Sequence, residues 1–304
     1  MDLRQLGALI AVADHRSFSA AARSLHTVQS NVSTHIARLE RELGVTLVDR
    51  TSGKLTAEGE AVVSRGRRIQ LELEALVADV AAVNSEITGT ARIGVIGTTA
   101  RWLVPPLLEA MAVEYPLVRV VVVDATTTSL LPQVHSGQLD LAVLALPVHD
   151  ADVDADLLFE EELLVIAPLD HPLAAEERVT LAQLAEHDLL LEPPGTAFRD
   201  DLDAQASVAG VTLTTKAEVD GMRLVASLAF EGFGAAVLPA SAAPRGHGDR
   251  PWKIVGVDGL TRRAVGLVRR RRGLPSAPAR ALTEVLRRTV AAEAEHQPGI
   301  YGAS

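Results

Sequence analysis

The chain has 304 residues and none of them is cysteine. This absence excludes disulfide bonds, thiolate metal ligands, cysteine nucleophiles and redox sensing through thiols. The 9 histidines do not cluster at ligand spacing, so neither a metal site nor a cofactor is predicted. No run reaches the roughly 18 uncharged apolar residues of a membrane span, and the start lacks the pattern of a secretion signal. We therefore expect a cytoplasmic protein with no membrane partner.

Sequence strings typical of common catalytic sites are also missing. Neither GxSxG nor HExxH occurs in the chain. Gly232 and Gly234 lack the third glycine and the preceding strand of a dinucleotide-binding loop. We therefore expect no catalytic residues and no enzyme activity.

Charge is distributed unevenly along the chain, which has a formal net charge of −10. Residues 1–68 carry 10 Lys+Arg and 7 Asp+Glu, whereas the remainder carries 19 and 32. The N-terminal segment 1–68, here called the head, is mildly basic, and the rest of the chain, here called the body, is acidic. This difference suggests that the head binds an anion.

The first 44 residues predict three short helices, the last two of them separated by only a few residues. Ala20, Ala21 and Ala22 give the second helix a smooth surface, which allows a close crossing of the kind found in a helix-turn-helix. Ser19 and Thr27 are the expected N-caps of the second and third helices. The third helix has one apolar stripe, formed by Val28, Val32, Ile36, Leu39 and Leu43.

The opposite face of the third helix carries hydroxyl, amide and guanidinium groups. Such groups suit base edges and phosphates in a major groove. Residues 45–55 then predict a hairpin-like wing that presents two further cations. The predicted DNA-binding residues are Gln29, Ser30, Asn31, Ser33, Thr34, Arg38, Arg50 and Lys54. The alternative is the solvated face of an ordinary helical hairpin.

A long helix is predicted from Ala57 to Ile87, with Thr56 as its N-cap. Its apolar residues recur every seven positions and occupy two complementary seams, which are Val62, Ile69, Leu76 and Val83, and Leu73, Val80 and Ile87. This spacing is typical of a coiled coil over Glu60–Ile87 and predicts a homodimer. A core helix packed on its own domain is the alternative.

These segments together resemble the N-terminal half of LysR-type transcriptional regulators. The resemblance lies in Phe18, in AAARSLHTVQSNVSTHIARLERELGVTLVDR at 20–50, and in LTAEG at 55–59. It implies a winged helix-turn-helix DNA-binding domain at 1–58, a linker helix at 59–89 and an effector-binding domain at 90–304. It further implies promoter DNA with an interrupted dyad, RNA polymerase and a small-molecule effector as partners. Dimers that assemble into a homotetramer are implied as well.

From Ala91 the pattern alternates between β-branched runs and amphipathic helices, which predicts an α/β body with parallel sheets. By resemblance this body is two-lobed and similar to periplasmic solute-binding proteins, with lobe I at about 90–162 and 266–293 and lobe II at about 163–265. The tail after Glu293 is expected to be disordered. An α/β solute-binding or enzymatic protein with a helical dimerisation head is the alternative function.

Threonines gather where several predicted strands end, which is the place where open α/β sheets bind ligands. Hydroxyls and free helix amides there suit an anionic effector. Strand-end position and the family resemblance together predict the effector-binding residues Thr98, Thr99, Arg101, Thr126, Thr128, Leu146, Thr196, Phe198 and Gly221. Arg101 and Arg199 could neutralise the anion or could face solvent, and each threonine could be only a helix cap.

Two further patterns are given a structural interpretation. The acidic run at 149–156 has calcium-loop spacing with Glu161, but Ala155 stands where the loop needs glycine, so an acidic surface loop is expected. Arg269–Arg272 are expected to form a solvated strand end.

Overall fold

The computed structural model describes residues 1–83, 86–244 and 250–303. Its first domain contains α1 (Leu3–His15), α2 (Phe18–Ser24) and α3 (Gln29–Leu43). The middle of the α3 apolar stripe, at Val32, Ile36 and Leu39, is buried against α1, whereas Val28 and Leu43 at its ends are exposed. The three-helix arrangement agrees with the predicted helix-turn-helix.

The caps of α2 and α3 differ from the prediction. Ser17, not Ser19, is the N-cap of α2, and its hydroxyl accepts a hydrogen bond from the Ala20 amide. Val28 occupies the N-cap position of α3 without a side-chain bond, while the Thr27 hydroxyl accepts from the Asn31 side chain at 3.0 Å. Both helices therefore begin one or two residues away from the predicted position, because several hydroxyls compete for each helix start.

The predicted wing is present as a short hairpin. Val48 and Leu55 form an isolated antiparallel bridge, and the Asp49 amide donates to the Lys54 carbonyl at 2.8 Å. The turn requires Gly53, because its φ is +69° and an added Cβ would lie 2.9 Å from the Arg16 carbonyl oxygen.

The linker helix α4 (Ala57–Val83) begins as predicted, since the Thr56 hydroxyl accepts from the Gly59 amide at 3.0 Å. It ends at Val83, and Ile87 lies in the irregular segment that follows, so the predicted end was wrong. The apolar seam is largely exposed in the single chain at Ile69, Leu73, Leu76, Val80 and Val83. Such an apolar stripe agrees better with a coiled coil than with a core helix.

The body contains two six-stranded sheets, which define the two lobes. Lobe I has the strand order β12-β4-β11-β3-β1-β2 and lobe II has the order β6-β10-β5-β9-β7-β8. The strands of lobe I are β1 (Gly89–Ile96), β2 (Val118–Ala125), β3 (Leu141–Ala145), β4 (Val153–Glu161), β11 (Arg263–Arg270) and β12 (Ile300–Gly302). The strands of lobe II are β5 (Leu163–Pro168), β6 (Arg178–Thr180), β7 (Asp188–Leu191), β8 (Thr214–Glu218), β9 (Ala235–Pro239) and β10 (Trp252–Asp258). The chain crosses between the lobes after β4 and again before β11.

Helices cover both sheets. They are α5 (Gly97–Glu114), α6 (Thr127–Ser136), α7 (Leu181–Leu184), α8 (Ala197–Val208), α9 (Met222–Phe230) and α10 (Ala277–Ala294). Short 3-10 turns occur at Pro172–Ala175 and Ala240–Ala242. Among the described helices, none combines the length and the apolar composition that crossing a membrane requires.

Three expectations about the body were wrong. The sheets are mixed, because β4, β5, β9, β10, β11 and β12 take part in antiparallel pairs. The segment expected as an acidic loop is a loop only at 149–152, because residues 153–156 begin the nine-residue strand β4, which is paired along its length with β11. The tail is ordered up to 303, since β12 pairs with β4. Only Ser304 of that tail lies outside the described residues.

The linker helix contacts the effector domain through two polar links. Arg92 in β1 donates to Glu74 of α4 at 3.0 Å. Asp79 of α4 accepts from the Ala277 amide at 2.8 Å and pairs with Arg280 at 3.3 Å, so it caps the start of α10. These contacts join the two parts of the chain.

Candidate nucleic-acid interface and interlobe cleft

The predicted DNA-binding residues lie together on α3 and the wing. Gln29, Ser30, Asn31, Thr34, Arg38, Arg50 and Lys54 are exposed and Ser33 is half-buried. The Gln29 side chain accepts from the Ser19 hydroxyl at 2.9 Å, and the Thr34 hydroxyl donates to the Ser30 carbonyl at 2.8 Å. The N-terminal half of α3 therefore presents a continuous polar face to solvent.

The cations of this face differ in how they are held. Arg50 of the wing donates to Glu40 at 3.0 Å and to the Ser33 hydroxyl at 3.1 Å, which fixes the wing against α3. Within the described ranges, the side chains of Arg38 and Lys54 have neither a hydrogen bond nor an ion pair. Their charges are therefore free to meet phosphates.

Thr98 and Thr99 lie in the first turn of α5, which directly follows β1. Because Ile96 of β1 is the parallel partner of Ala125 of β2, Thr98 and Thr126 follow neighbouring strand ends. Thr98 and Thr99 are buried, and the Thr99 hydroxyl has no hydrogen-bond partner among the described residues. A buried hydroxyl without a partner is costly, so this hydroxyl is available to a ligand or a water molecule.

A cation that the sequence analysis missed lies next to Thr98. Arg263 at the start of β11 donates through Nη2 to the Thr98 hydroxyl at 3.0 Å and through Nε to Glu161 at 2.9 Å. Glu161 is fully buried, and its other oxygen accepts from the Ser241 amide at 2.9 Å. Within the described residues, Nη1 of Arg263 makes no hydrogen bond. In lobe I, the Arg263 guanidinium therefore keeps N–H donors that are available to a ligand.

A carboxyl group in lobe II is close enough to Arg263 to interact with it electrostatically. Glu192 directly follows β7, and the Gly221 and Met222 backbone amides at the start of α9 act electrostatically on its carboxyl group. Burial raises the pKa of the Glu192 carboxyl above its ordinary value, although those amides and Arg263 act in the opposite direction. The same strand-end rule that selected the threonines would have found Glu192, because it directly follows a predicted strand.

The remaining predicted effector residues differ in their exposure and in their hydrogen bonds. Thr126 and Thr128 are exposed and their hydroxyls are hydrogen-bonded to each other at 2.9 Å. The Thr196 hydroxyl donates to the Pro193 carbonyl, and Gly221 holds the N-cap of α9 with φ +114°. Two of the apolar residues, Leu146 and Phe198, pack on the cores of lobes I and II, respectively.

The two arginines expected to neutralise an anion are held to different degrees. Arg101 donates to the Ala242 carbonyl at 2.9 Å. Arg199 is buried, donates to the Glu192 carbonyl at 3.0 Å and pairs with Asp203 at 2.7 Å. Arg263, rather than Arg199, is therefore the guanidinium with spare donors beside Thr98.

The acidic run and the arginine run are neighbours on adjacent strands. Asp154 pairs with Arg271 at 2.8 Å, and Asp156 pairs with Arg269 at 3.2 Å. Glu161 belongs to the buried pair with Arg263. The residues that have calcium-loop spacing therefore do not converge on one point, and arginines 269 and 271 serve as cross-strand partners.

Two protein-family models match the chain. The model described as "Bacterial regulatory helix-turn-helix protein, lysR family" matches residues 3–60, and the model described as "LysR substrate binding domain" matches residues 84–291. Together they span both the candidate nucleic-acid interface and the interlobe cleft.

Similar proteins and structures agree with these models. A probable hydrogen peroxide-inducible genes activator of Streptomyces viridosporus is 36% identical over 79% of this chain and 78% of its own length. A full-length OxyR from Pseudomonas aeruginosa, with a cysteine replaced by aspartate, is 26% identical with a TM-score of 0.73 and covers 95% of this chain and 94% of that one. CbnR in complex with its target DNA is 25% identical with a TM-score of 0.70, covering 95% of this chain and 100% of that one. The named relatives are regulators, not enzymes.

Proposed function

The chain belongs to the LysR family and is a DNA-binding transcriptional regulator with an effector-binding domain, and we propose that a small anionic effector binds between its two lobes. The proposed domains are the winged helix-turn-helix at 1–58, the linker helix at 59–89 and the effector-binding domain from 90 onward. Lobe I then includes β12 as well as the segments predicted from the sequence.

The exposed face of α3 and the wing support the proposed DNA contacts. Ser30, Asn31 and Thr34 would approach base edges or phosphates, whereas Arg38 and Lys54 would neutralise phosphates. Arg50 would contribute through the position of the wing, because its guanidinium is already bound to Glu40 and Ser33.

Charge reversal tests this interface. The double variant Arg38→Glu plus Lys54→Glu should lose binding to duplex DNA selected by the wild-type protein from a random pool, and it should keep its thermal stability. The matched control is Arg119→Glu plus Lys216→Glu, which reverses two exposed charges on the body. Equal loss in both variants would show a general charge effect and would contradict the proposed face.

Uncapped helix starts and Arg263 support an anionic effector. Among the described residues, no side chain caps the first turns of α5, α6 and α8, so their backbone amides are available to an anion. Arg263 adds the free Nη1 donors beside Thr98. The observation that carries the proposal is this guanidinium, which is bound to buried Glu161 and to the Thr98 hydroxyl and keeps Nη1 without a hydrogen bond among the described residues.

Glu192 makes effector binding depend on pH. An anion near Arg263 would repel ionised Glu192 and would accept a hydrogen bond from the protonated carboxyl. Because burial already raises the pKa of Glu192, protonation of that group is less costly than for an exposed carboxyl. Binding of the anion should therefore take up a proton and become stronger as the pH falls.

The experiment is a thermal-shift screen of the intact protein against inorganic anions and small carboxylates, followed by titration of a hit at several pH values. A ligand at 100 times its Kd should add about 2.7 kcal/mol of stability. Glu192→Gln should bind the hit with little pH dependence, whereas the exposed control Glu186→Gln should behave as the wild type. The same pH dependence in Glu192→Gln as in the wild type would contradict the role of this carboxyl.

The absence of cysteine limits the kinds of signal to which this regulator can respond. One relative is named as a hydrogen peroxide-inducible activator, and the OxyR structure is of a cysteine variant. This chain has no thiol, so a peroxide response through a cysteine is excluded. We therefore propose reversible ligand binding as the signal.

The exposed apolar seam of α4 supports the assembly of several copies of this chain into an oligomer. Two copies of α4 would bury the seam from Ile69 to Val83 in a coiled coil and place two recognition helices on related half-sites. The effector domains would join two such dimers into a homotetramer that bends promoter DNA and changes its contact with RNA polymerase. Light scattering of the purified protein should give the mass of four chains; a monomer would contradict this assembly.

A further inference from the structure

Two carboxylates of the acidic run differ from the others in their partners. Asp154 and Asp156 are neutralised by arginines of β11 and the segment after it. Asp150 and Asp152, in the loop before β4, have no lysine or arginine partner in the described part of the chain. The negative charge left in this loop is therefore not neutralised by a basic side chain with a fixed charge.

Both free carboxylates face one imidazole. The Nδ1 atom of His135, in the last turn of α6, lies 3.5 Å from Asp150 Oδ2, and its Nε2 atom lies 3.9 Å from Asp152 Oδ2. Taking one ligand atom from each of the three residues, all three atoms lie within 4.8 Å of one another. The sequence analysis missed this group because His135 and the two aspartates belong to different elements.

The arrangement of these three groups favours a cation. A neutral imidazole has one N–H and one nitrogen lone pair, so the lone pair faces one of the two carboxylates. A lone pair against a carboxylate oxygen is repulsive, and the two carboxylates also repel each other. A cation shared by the imidazole nitrogen and the two carboxylates relieves both repulsions.

The loop is held in place independently of the cation. The Asp152 amide donates to Asp150 Oδ1 at 2.8 Å, and the Asp152 carbonyl accepts from the Arg271 amide at 2.9 Å. Both hydrogen bonds leave the Oδ2 atoms that face His135 available. Little backbone reorganisation is then required for a ligand to bind.

We propose that His135, Asp150 and Asp152 form a binding site for a divalent transition-metal ion such as Zn²⁺. One nitrogen and two carboxylate oxygens at about 2.0–2.2 Å suit Zn²⁺, with water completing the coordination. Side-chain movements of about an ångström would bring the ligands to these distances. The site goes beyond the proposed function and does not rest on it, and it revises the expectation that the chain has no metal site.

The position of the site gives metal binding a consequence for the cleft. The helix α6 carries His135 at its end and starts at Thr127, beside the cleft, while the loop to Asp152 starts after Ala145 of β3. A metal ion would tie the end of α6 to this loop. The metal would therefore restrict the movement of two elements that border the effector cleft.

The test is calorimetric titration of the full-length, tag-free protein with ZnCl₂ near neutral pH. The wild type should bind one Zn²⁺ per chain with saturation, and His135→Gln should weaken binding at least about tenfold. The control His296→Gln removes another exposed histidine and should bind Zn²⁺ as the wild type does. Circular dichroism shows that each variant is folded, which is expected because His135 is exposed.

Two aspartate variants distinguish a specific metal site from the general attraction of Zn²⁺ to an acidic surface. Asp150→Asn should weaken Zn²⁺ binding as His135→Gln does, whereas Asp154→Asn should leave it unchanged, since Asp154 pairs with Arg271. Equal affinity in the wild type and His135→Gln would overturn the proposal. Absence of saturable Zn²⁺ binding to the wild type would overturn it as well.

Discussion

Replacing Arg38 or Lys54 by alanine should lower the salt dependence of DNA binding by a predictable amount. Both side chains are exposed, and in the described structure neither has an ion-pair partner that would already neutralise it. A phosphate contact by such a side chain releases condensed counterions from DNA, so losing the contact changes the slope of log K against log salt concentration.

The expected change follows from the number of contacts. Each phosphate contact contributes about 0.9 to the slope for duplex DNA, so one substitution lowers the slope by about 1.8 on a duplex that carries a single pair of half-sites and binds two recognition helices. The double variant should lower it by about 3.6. Arg50→Ala should change the slope less, because Arg50 already pairs with Glu40 at 3.0 Å. The loss for Arg50 should instead appear as a weaker affinity at every salt concentration.

Fluorescence anisotropy with a labelled duplex, titrated at a series of KCl concentrations, measures this slope. Arg119→Ala is the matched control, since it removes an exposed cation from the body and should leave the slope unchanged. An unchanged slope in the Arg38→Ala plus Lys54→Ala variant would refute the assignment of these cations to phosphates, even if the affinity fell.

Three further predictions concern assembly, the linker and the cleft. Leu76→Glu on the seam of α4 should dissociate the dimer, as measured by light scattering, since burying a leucine contributes about 1.5–3 kcal/mol per chain. The control Val77→Glu changes a similarly exposed residue that lies off the seam, and it should leave the dimer intact. Asp79→Ala should destabilise α10 by about 0.5–2 kcal/mol in urea unfolding, because the Ala277 amide loses its partner, and an unchanged midpoint would contradict the cap. Glu192→Gln should remove a pH dependence of the free energy of unfolding. Because the pKa of Glu192 is raised in the folded state, the folded protein holds this proton more tightly than the unfolded chain does. The stabilisation from that proton is complete below the ordinary pKa of the carboxyl group and is lost as the pH rises through the raised pKa. A wild-type unfolding profile that does not change across that range would contradict the burial of this charge.

Local periodicity was sufficient to predict the first domain. The burial of Val32, Ile36 and Leu39 follows from their spacing, because a helix brings residues three and four apart onto one face. The exposed ends of the stripe, at Val28 and Leu43, depend on where neighbouring helices stop. That information is not contained in the periodicity of α3 itself.

The candidate effector cleft could be predicted only in part, because the ion pair beside Thr98 joins two residues that are far apart in the sequence. Glu161 and Arg263 lie 102 positions apart and meet only after the chain has passed through lobe II. Strand-end position singled out Thr98, which does lie just after β1, but no spacing rule connects it to Arg263. The strand β4 carried a recognisable signal, since Asp154 and Asp156 alternate with apolar residues and face arginines of the adjacent strand.

In the proposed function a signal from the effector cleft passes along the chain through the linker helix, and the polar contacts of α4 suggest a route. Glu74 binds Arg92 of β1, and the Arg92 amide donates to Asp140, the residue just before β3. Asp79 binds the start of α10, which packs against α5, the helix whose first turn contains Thr98 and Thr99. An effector at the start of α5 can change the DNA-binding head only if it binds two arrangements of these contacts with different affinity. The Asp79 and Glu74 contacts are therefore where the two arrangements should differ, and their removal should weaken the response to the effector more than it weakens the binding of either ligand.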